Sequence, residues 1–159
     1  MIKHDKEYLT LEAHERLTAE LEERKTVRRT KITKRIEEAR AHGDLRENAE
    51  YHAAKDEQGL NEAEIRTLEA RLRRAVIGRP EVAEGVVAVG MVIEIEDADG
   101  DVEAFFLGSR DDRVEGLEVV GASSPMGKAL TGARVGDTVS YAGPRGTRFE
   151  VTVRSAQPR

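Results

Sequence analysis

Two acidic residues three positions apart, Asp44 and Glu47, have the residue types and spacing in this sequence most suited to chemistry. Residues i and i+3 lie on one face of a helix, so both carboxylates would project together at a helix start. Such oxygen ligands suit Mg²⁺, which proteins typically hold with one or two carboxylates while water and phosphate oxygens complete its shell. The pair is too small for a complete active site, but it could complete one that already holds a metal and a phosphodiester.

The same spacing also fits a purely structural role. Asp-x-x-Glu at a helix start resembles a capping box, in which Asp44 would accept from backbone N–H groups while Glu47 reaches back. Because helix caps are far commoner than metal sites, the spacing alone favours the cap.

Three basic side chains and a tyrosine surround the acidic pair, namely Arg40, Arg46, Lys55 and Tyr51. The basic residues could form a patch for RNA phosphates, or could be ordinary solvated charges that offset the neighbouring acids. The tyrosine could stack on a base, or could pack against another helix.

A helical hairpin is predicted to carry these residues. Helix-forming residues dominate 10–77, Thr10 suits an N-cap, and no proline occurs before Pro80. Apolar residues recur every three or four positions in two stripes, which are Leu17, Leu21, Ile32, Ile36 and Ala39, then Leu60, Ile65, Leu68, Leu72 and Val76. Gly43 can end the first helix, so we predict antiparallel helices over about 10–42 and 45–77, paired as a coiled coil with its tip at 43–47.

The second half predicts a different structure. Residues 78–85 resemble a linker, and β-branched residues between glycines then indicate short antiparallel strands. Asp99-Gly100 is a hairpin turn signal, and Ser124-Pro125 can begin a brief helix ending near Leu130. The predicted fold class is therefore α+β, with an arm over 1–77 and a small β domain over 86–159.

Composition excludes several classes of protein. The chain of 159 residues has no cysteine, which excludes disulfides and cysteine-based metal sites, and no apolar run long enough for a signal or a membrane span. Residues 1–80 carry 18 basic and 17 acidic side chains, whereas 81–159 carry 8 and 14. An acidic second half disfavours wrapping a duplex, so any nucleic-acid contact should be local to the first half. We expect a cytoplasmic monomer.

The sequence of the tip runs Ala39-Arg40-Ala41-His42-Gly43-Asp44-Leu45-Arg46-Glu47-Asn48-Ala49-Glu50-Tyr51-His52-Ala53-Ala54-Lys55. This segment resembles the tip of the Gre family of bacterial transcription elongation factors, and its GreA branch most closely. Leu9-Thr10 with Leu17, the run 124–130 (SPMGKAL) and Val135-Gly136-Asp137 fit the same family in the expected order. The resemblance therefore covers nearly the whole chain.

This resemblance implies a coiled-coil arm that enters the secondary channel of RNA polymerase and an FKBP-like β domain that docks on the channel rim. Asp44 and Glu47 would help the polymerase hold its second catalytic Mg²⁺ and orient a water that cleaves backtracked RNA. The chain itself would need no cofactor. Arg40, Arg46, Lys55 and Tyr51 would contact the RNA 3′ end, while Ser124, Pro125 and Met126 would form the docking loop.

Four other functions compete with this interpretation of the sequence. Some paralogues of similar shape occupy the channel and inhibit, but their tips depart from the family pattern that this tip keeps. Two carboxylates without another ligand cluster make a free-standing nuclease a poor fit, and a coiled-coil adaptor would use the acidic tip only as a cap. A prolyl isomerase is not predicted, because fold does not fix function and the sparse aromatic residues give no clear proline pocket.

Overall fold

The computed structural model of the protein describes residues 6–44 and 48–159. The chain divides into two compact units. One is helical and spans Glu15–Arg74, and we call it the arm. The other combines residues 6–14 with Ala75–Arg159, and we call it the β domain.

The arm is an antiparallel pair of helical segments. The chain runs out through α1 (Leu11–Glu23), a π-helix (Arg24–Arg28) and α2 (Arg29–Arg40), and returns through α3 (Ala49–Arg74). Ion pairs join the two directions, including Arg29 to Glu62 at 2.8 Å and Arg35 to Glu57. The predicted hairpin is therefore confirmed, although α3 begins at Ala49 rather than at residue 45.

Six of the ten predicted stripe residues are buried in the seam of the arm, Leu21 and Leu72 are partly buried, and Val76 lies outside the arm in a strand. The buried apolar residues on the outgoing side are Leu17, Ile32, Ile36 and Ala39, and on α3 they are Ala54, Ile65 and Leu68. Leu60, which the sequence placed in this seam, is 73% exposed, whereas its neighbour Asn61 is only 3% exposed. The prediction for Leu60 is thus wrong, because a polar side chain takes the inward position.

Two short strands lie where the arm leaves and rejoins the β domain. β1 (Glu7–Leu9) pairs in parallel with β2 (Ala75–Ile77), and the Gly78 amide donates to the Leu9 carbonyl at 3.0 Å. The sequence predicted helix through residue 77, and that is wrong for the last three residues. Their apolar, partly β-branched side chains also suit a strand, and β1 supplies the partner strand.

A five-stranded sheet forms the body of the β domain, in the order β5-β4-β3-β7-β6. Its strands are β3 (Met91–Asp97), β4 (Val102–Gly108), β5 (Glu118–Gly121), β6 (Thr138–Ala142) and β7 (Arg148–Pro158), and α4 (Pro125–Leu130) follows β5. The predicted turn at Asp99-Gly100 joins β3 to β4, with Gly100 at a φ of 87°. The α+β class is confirmed, although β5 pairs in parallel with β4, which makes the sheet mixed.

The main core of the β domain lies on one face of this sheet, while Phe106, which is 2% exposed, is buried on the opposite face. The most deeply buried side chains of the main core are Val87, Ile93, Leu107, Leu130 and Val153. Within residues 6–44 and 48–159, no helix is long and apolar enough to cross a membrane.

Candidate functional site at the tip of the arm

The tip is the segment of chain between the end of α2 and the start of α3, of which residues 41–44 and 48 are described. After Arg40 the helix gives way to a turn, and Gly43 adopts a φ of 115°, which favours glycine. Asp44 follows directly, with its side chain exposed. Leu45, Arg46 and Glu47 lie outside the described residues, so the predicted positions of Arg46 and Glu47 stay predictions.

Asn48 caps α3. Its Oδ1 accepts from the Tyr51 backbone N–H at 3.0 Å, the usual bond of an N-cap residue to the third residue of its helix. Its Nδ2 donates to the Ala39 carbonyl at 2.6 Å, near the end of α2. One side chain therefore satisfies backbone groups at both helix ends that face the tip. The N-cap of α3 is therefore Asn48 and not Asp44.

Tyr51 is held between the two helices. Its ring packs against the buried cluster of Ile32, Ile36 and Ala54, and the Arg40 guanidinium carbon lies 5.7 Å from its centroid. This distance is that of a cation–π contact. The packing favours the structural interpretation of Tyr51 over base stacking, and it places the charge of Arg40 at the end of α2.

The remaining basic residue of the described tip, Lys55, is exposed one turn further along α3. Its Nζ donates to Gln58 Oε1 at 3.0 Å on the same helix. Arg40 and Lys55 thus present two positive charges on the described part of the tip. Exposed cations of this kind can contact phosphates, with an affinity that falls as salt rises.

The described part of the tip contains no cluster of metal ligands. Across 6–44 and 48–159, no group of three or more His, Asp or Glu side chains is arranged to do so. Asp44 offers a carboxylate at an exposed position, which is the hard oxygen ligand that Mg²⁺ accepts.

The predicted docking loop begins α4. Ser124 Oγ accepts from the Gly127 N–H at 3.0 Å and donates to the Gly121 carbonyl at 2.7 Å, so the predicted cap is confirmed. Pro125, at the first helical position, is exposed, while Met126 packs partly against the core. A Cβ on Gly127 would collide with the Gly121 carbonyl, which explains the glycine. Pro125 is therefore the residue of this loop with most surface for a partner.

Sequence reasoning missed Asn48, although asparagine is among the best N-cap residues and a signal was present. The choice of Asp44 as cap followed from placing the second helix four residues too early. Nothing comparable pointed to Asn61, because a polar residue beside a leucine is ordinarily assigned to the exposed face.

Comparison with known proteins agrees with the tip sequence. Residues 7–77 match the family model of the N-terminal region of transcription elongation factors, and 82–158 match the GreA/GreB C-terminal model. The chain is 45% identical to the transcription elongation factor GreA of Mycobacteroides abscessus over 95% of its length and 94% of the relative's. For GreA of Streptomyces coelicolor the identity is 40%, over 95% and 93%.

Among solved structures, the GreA factor homolog 1 (Gfh1) of Thermus thermophilus is 34% identical, covering 96% of this chain and 99% of that one, with a TM-score of 0.42. The two family models and the GreA relatives span nearly the whole chain. This protein therefore belongs to the GreA/GreB family of transcription elongation factors, which confirms the resemblance found in the sequence.

Proposed function

We propose that this protein inserts its arm into RNA polymerase and stimulates cleavage of the 3′ end of backtracked RNA, with no nuclease activity of its own. The observation that carries the proposal is the placement of Asp44, which is exposed at the tip of the arm while Asn48 caps α3. An exposed acid in a tip that matches the family model supports a role in binding a ligand shared with a partner.

The dimensions of the arm support delivery to a buried site. The outgoing helices cover Leu11–Arg40, which is about 45 Å at 1.5 Å per residue, and the 26 residues of α3 give about 39 Å. A narrow helical pair of that length suits entry into a channel. The β domain then remains outside, where Ser124, Pro125 and Met126 would contact the channel rim.

The tip residues have two tasks in this proposal, which are to hold a metal ion and to contact RNA. Asp44 and Glu47 would hold, together with the polymerase, a second Mg²⁺, which supplies an activated water and stabilises charge on the phosphodiester. Arg40 would contact RNA phosphates from its position beside Tyr51, and Arg46 and Lys55 would do the same. The protein would need no cofactor of its own and would act as a cytoplasmic monomer.

The experiment is RNA cleavage in a stalled, backtracked elongation complex, with wild type compared with Asp44→Asn. The substitution weakens the metal ligand without changing the size of the side chain. Because asparagine accepts backbone hydrogen bonds about as well as aspartate, the melting temperature should change little, while the maximal cleavage rate should fall by at least about tenfold. Glu64→Gln, which neutralises an exposed acid in the middle of α3, is the matched control and should cleave like wild type.

Each outcome decides between functions. Cleavage lost with polymerase binding retained supports the metal-positioning role of the tip. Normal cleavage by Asp44→Asn contradicts that role. If wild type binds polymerase and inhibits synthesis without stimulating cleavage, the protein is a channel-binding antagonist instead. Cleavage of RNA without polymerase would make it a nuclease.

A further inference from the structure

A buried polar pair interrupts the seam in the middle of the arm. Asn61 Nδ2 donates to the Arg24 backbone carbonyl at 3.1 Å, and Arg24 Nη1 donates to Asn61 Oδ1 at 3.2 Å. Arg24 Nε is held in turn by Glu20 Oε1 at 3.0 Å, and its side chain is only 18% exposed. Asn61 thus uses both ends of its amide on one residue of the opposing helix.

Asn61 occupies a position where an apolar residue would stabilise the arm more. Ala54, Asn61 and Leu68 are seven residues apart and all buried, which is the spacing of one seam position in a helical pair. A leucine is available one position away, yet Leu60 faces solvent. A single buried asparagine in such a seam lowers stability but penalises every pairing that leaves its amide without a partner.

The partner of Asn61 is as specific as Asn61 itself. Arg24 is the first residue of the π-helix, the one π-helical segment of the described chain. A π-helix uses i→i+5 bonds and so inserts an extra residue, which changes the face that the following helix presents. None of residues 24–28 is buried, so apolar packing does not fix the alignment here. The exposed ion pairs nearby, such as Arg29 to Glu62, add little.

We propose that the hydrogen-bonded pair of Asn61 and Arg24 is a register lock that sets which residues stand at the tip. In an antiparallel hairpin, a slip of one heptad along one helix moves the turn by about half a heptad, or three to four residues. Such a slip would take Asp44 away from the tip. Asn61 is therefore a positioning residue for the cleavage function, and this part of the inference rests on the function proposed above.

The test compares Asn61→Leu with Gln58→Leu, a matched substitution of a half-buried polar residue one turn away on the same helix. Because the chain has no cysteine, single cysteines at the exposed positions Lys31 and Ala63 can carry spin labels on opposite helices. Pulsed electron spin resonance then measures the register directly. A slip of one heptad would displace the labels along the arm by about 10 Å.

Asn61→Leu should keep or raise the melting temperature and add a second distance population, whereas wild type and Gln58→Leu should each give one. In elongation complexes, the maximal cleavage rate with Asn61→Leu should fall at least about threefold, in proportion to the fraction of molecules that are out of register. The concentration of the protein that gives half-maximal cleavage should be unchanged. A merely structural role would lower stability and leave the distances alone. Arg24→Lys, which loses the bond to Asn61 Oδ1 but keeps the charge, should give an intermediate second population.

A single distance population in both Asn61→Leu and Arg24→Lys would overturn the lock. A second population with wild-type cleavage would overturn the positioning role. The distances are measured on the isolated protein, so they test the register lock even if the wild-type protein stimulates no cleavage. A wild-type protein that stimulates no cleavage would refute the proposed function but not the register lock.

Discussion

Replacing Asn48 with alanine removes two hydrogen bonds at the base of the tip. Loss of an N-cap side chain costs about 1 kcal/mol. Loss of the 2.6 Å bond from Nδ2 to the Ala39 carbonyl costs about as much again, because a carbonyl in the last turn of a helix has no hydrogen-bond donor within that helix. Asn48→Ala should therefore weaken the tip by about 2 kcal/mol, with the damage concentrated where α2 and α3 face each other.

Amide hydrogen exchange of the arm measures this loss at the right place. The Tyr51 N–H, which donates to Asn48 Oδ1 at 3.0 Å, should exchange about thirtyfold faster in Asn48→Ala, the rate ratio that corresponds to 2 kcal/mol. Amides around Leu68, far along α3, should change little. Cleavage in backtracked complexes should also fall, because Asp44 lies between α2 and α3, and the contacts of Asn48 no longer hold those two helix ends together.

Asn48→Asp separates the two bonds. Aspartate caps a helix about as well as asparagine, so the Tyr51 amide should stay protected, but its carboxylate cannot donate to the Ala39 carbonyl. Unchanged exchange of the Tyr51 amide in Asn48→Ala would refute the assignment of Asn48 as the cap of α3. Equal exchange in both variants would show that the bond to Ala39 carries the whole effect.

Two further predictions concern stability. The hydrogen bond from Arg29 lowers the pKa of the Glu62 carboxyl, so its contribution is present above the ordinary carboxyl pKa and is lost as pH falls through the lowered folded value. Because the pair is partly exposed, Glu62→Gln should lower the melting temperature only slightly at pH 7 and not at all in strong acid, and a difference that persists in acid would contradict this reasoning. Asp112, 4% exposed, accepts from the Thr10 N–H, the Thr10 hydroxyl and the Ser109 N–H, so Asp112→Ala should cost about 3 kcal/mol in denaturant unfolding. Glu115→Ala, at an exposed position in the same loop, should cost almost nothing, and equal losses in the two variants would exclude a role for these bonds.

The sequence predicted those parts of the fold that local patterns determine. Helical periodicity located both sides of the arm, Thr10 caps α1 by accepting from the Ala13 N–H at 3.1 Å, and Ser124 with Pro125 begins α4. It failed where a distant partner decides the structure. Ala75–Ile77 continue an apolar helical pattern, and only the pairing with β1, far away in the sequence, makes them a strand. The parallel pairing of β5 with β4 is likewise a tertiary choice.

The sequence predicted which segment of the chain forms the candidate site, but not how the side chains of that segment are arranged. Residue types and family resemblance located Asp44 at the tip, but spacing alone could not separate a cap from a ligand. The identity of the α3 cap depends on where the helix begins, and a boundary error of four residues gave that role to Asp44 instead of Asn48. The inward position of Asn61 was hidden for a similar reason, since hydropathy assigns Leu60 to the seam.

Both polar residues that the sequence missed do what apolar packing in this arm cannot do. Burial of leucine and isoleucine is non-directional, and a narrow seam of small and branched side chains tolerates sliding by a heptad. Asn48 fixes the end of α2 against the start of α3, and Asn61 fixes the middle of α3 against Arg24. Because these two hydrogen-bonded contacts lie at different distances from the tip, together they fix a single alignment of the two sides of the arm. Either contact alone would fix the alignment only in its own part of the arm. The double variant with Asn48→Ala and Asn61→Leu should therefore lose more cleavage than the product of the two single losses, and simple multiplicative losses would show that the two anchors act independently.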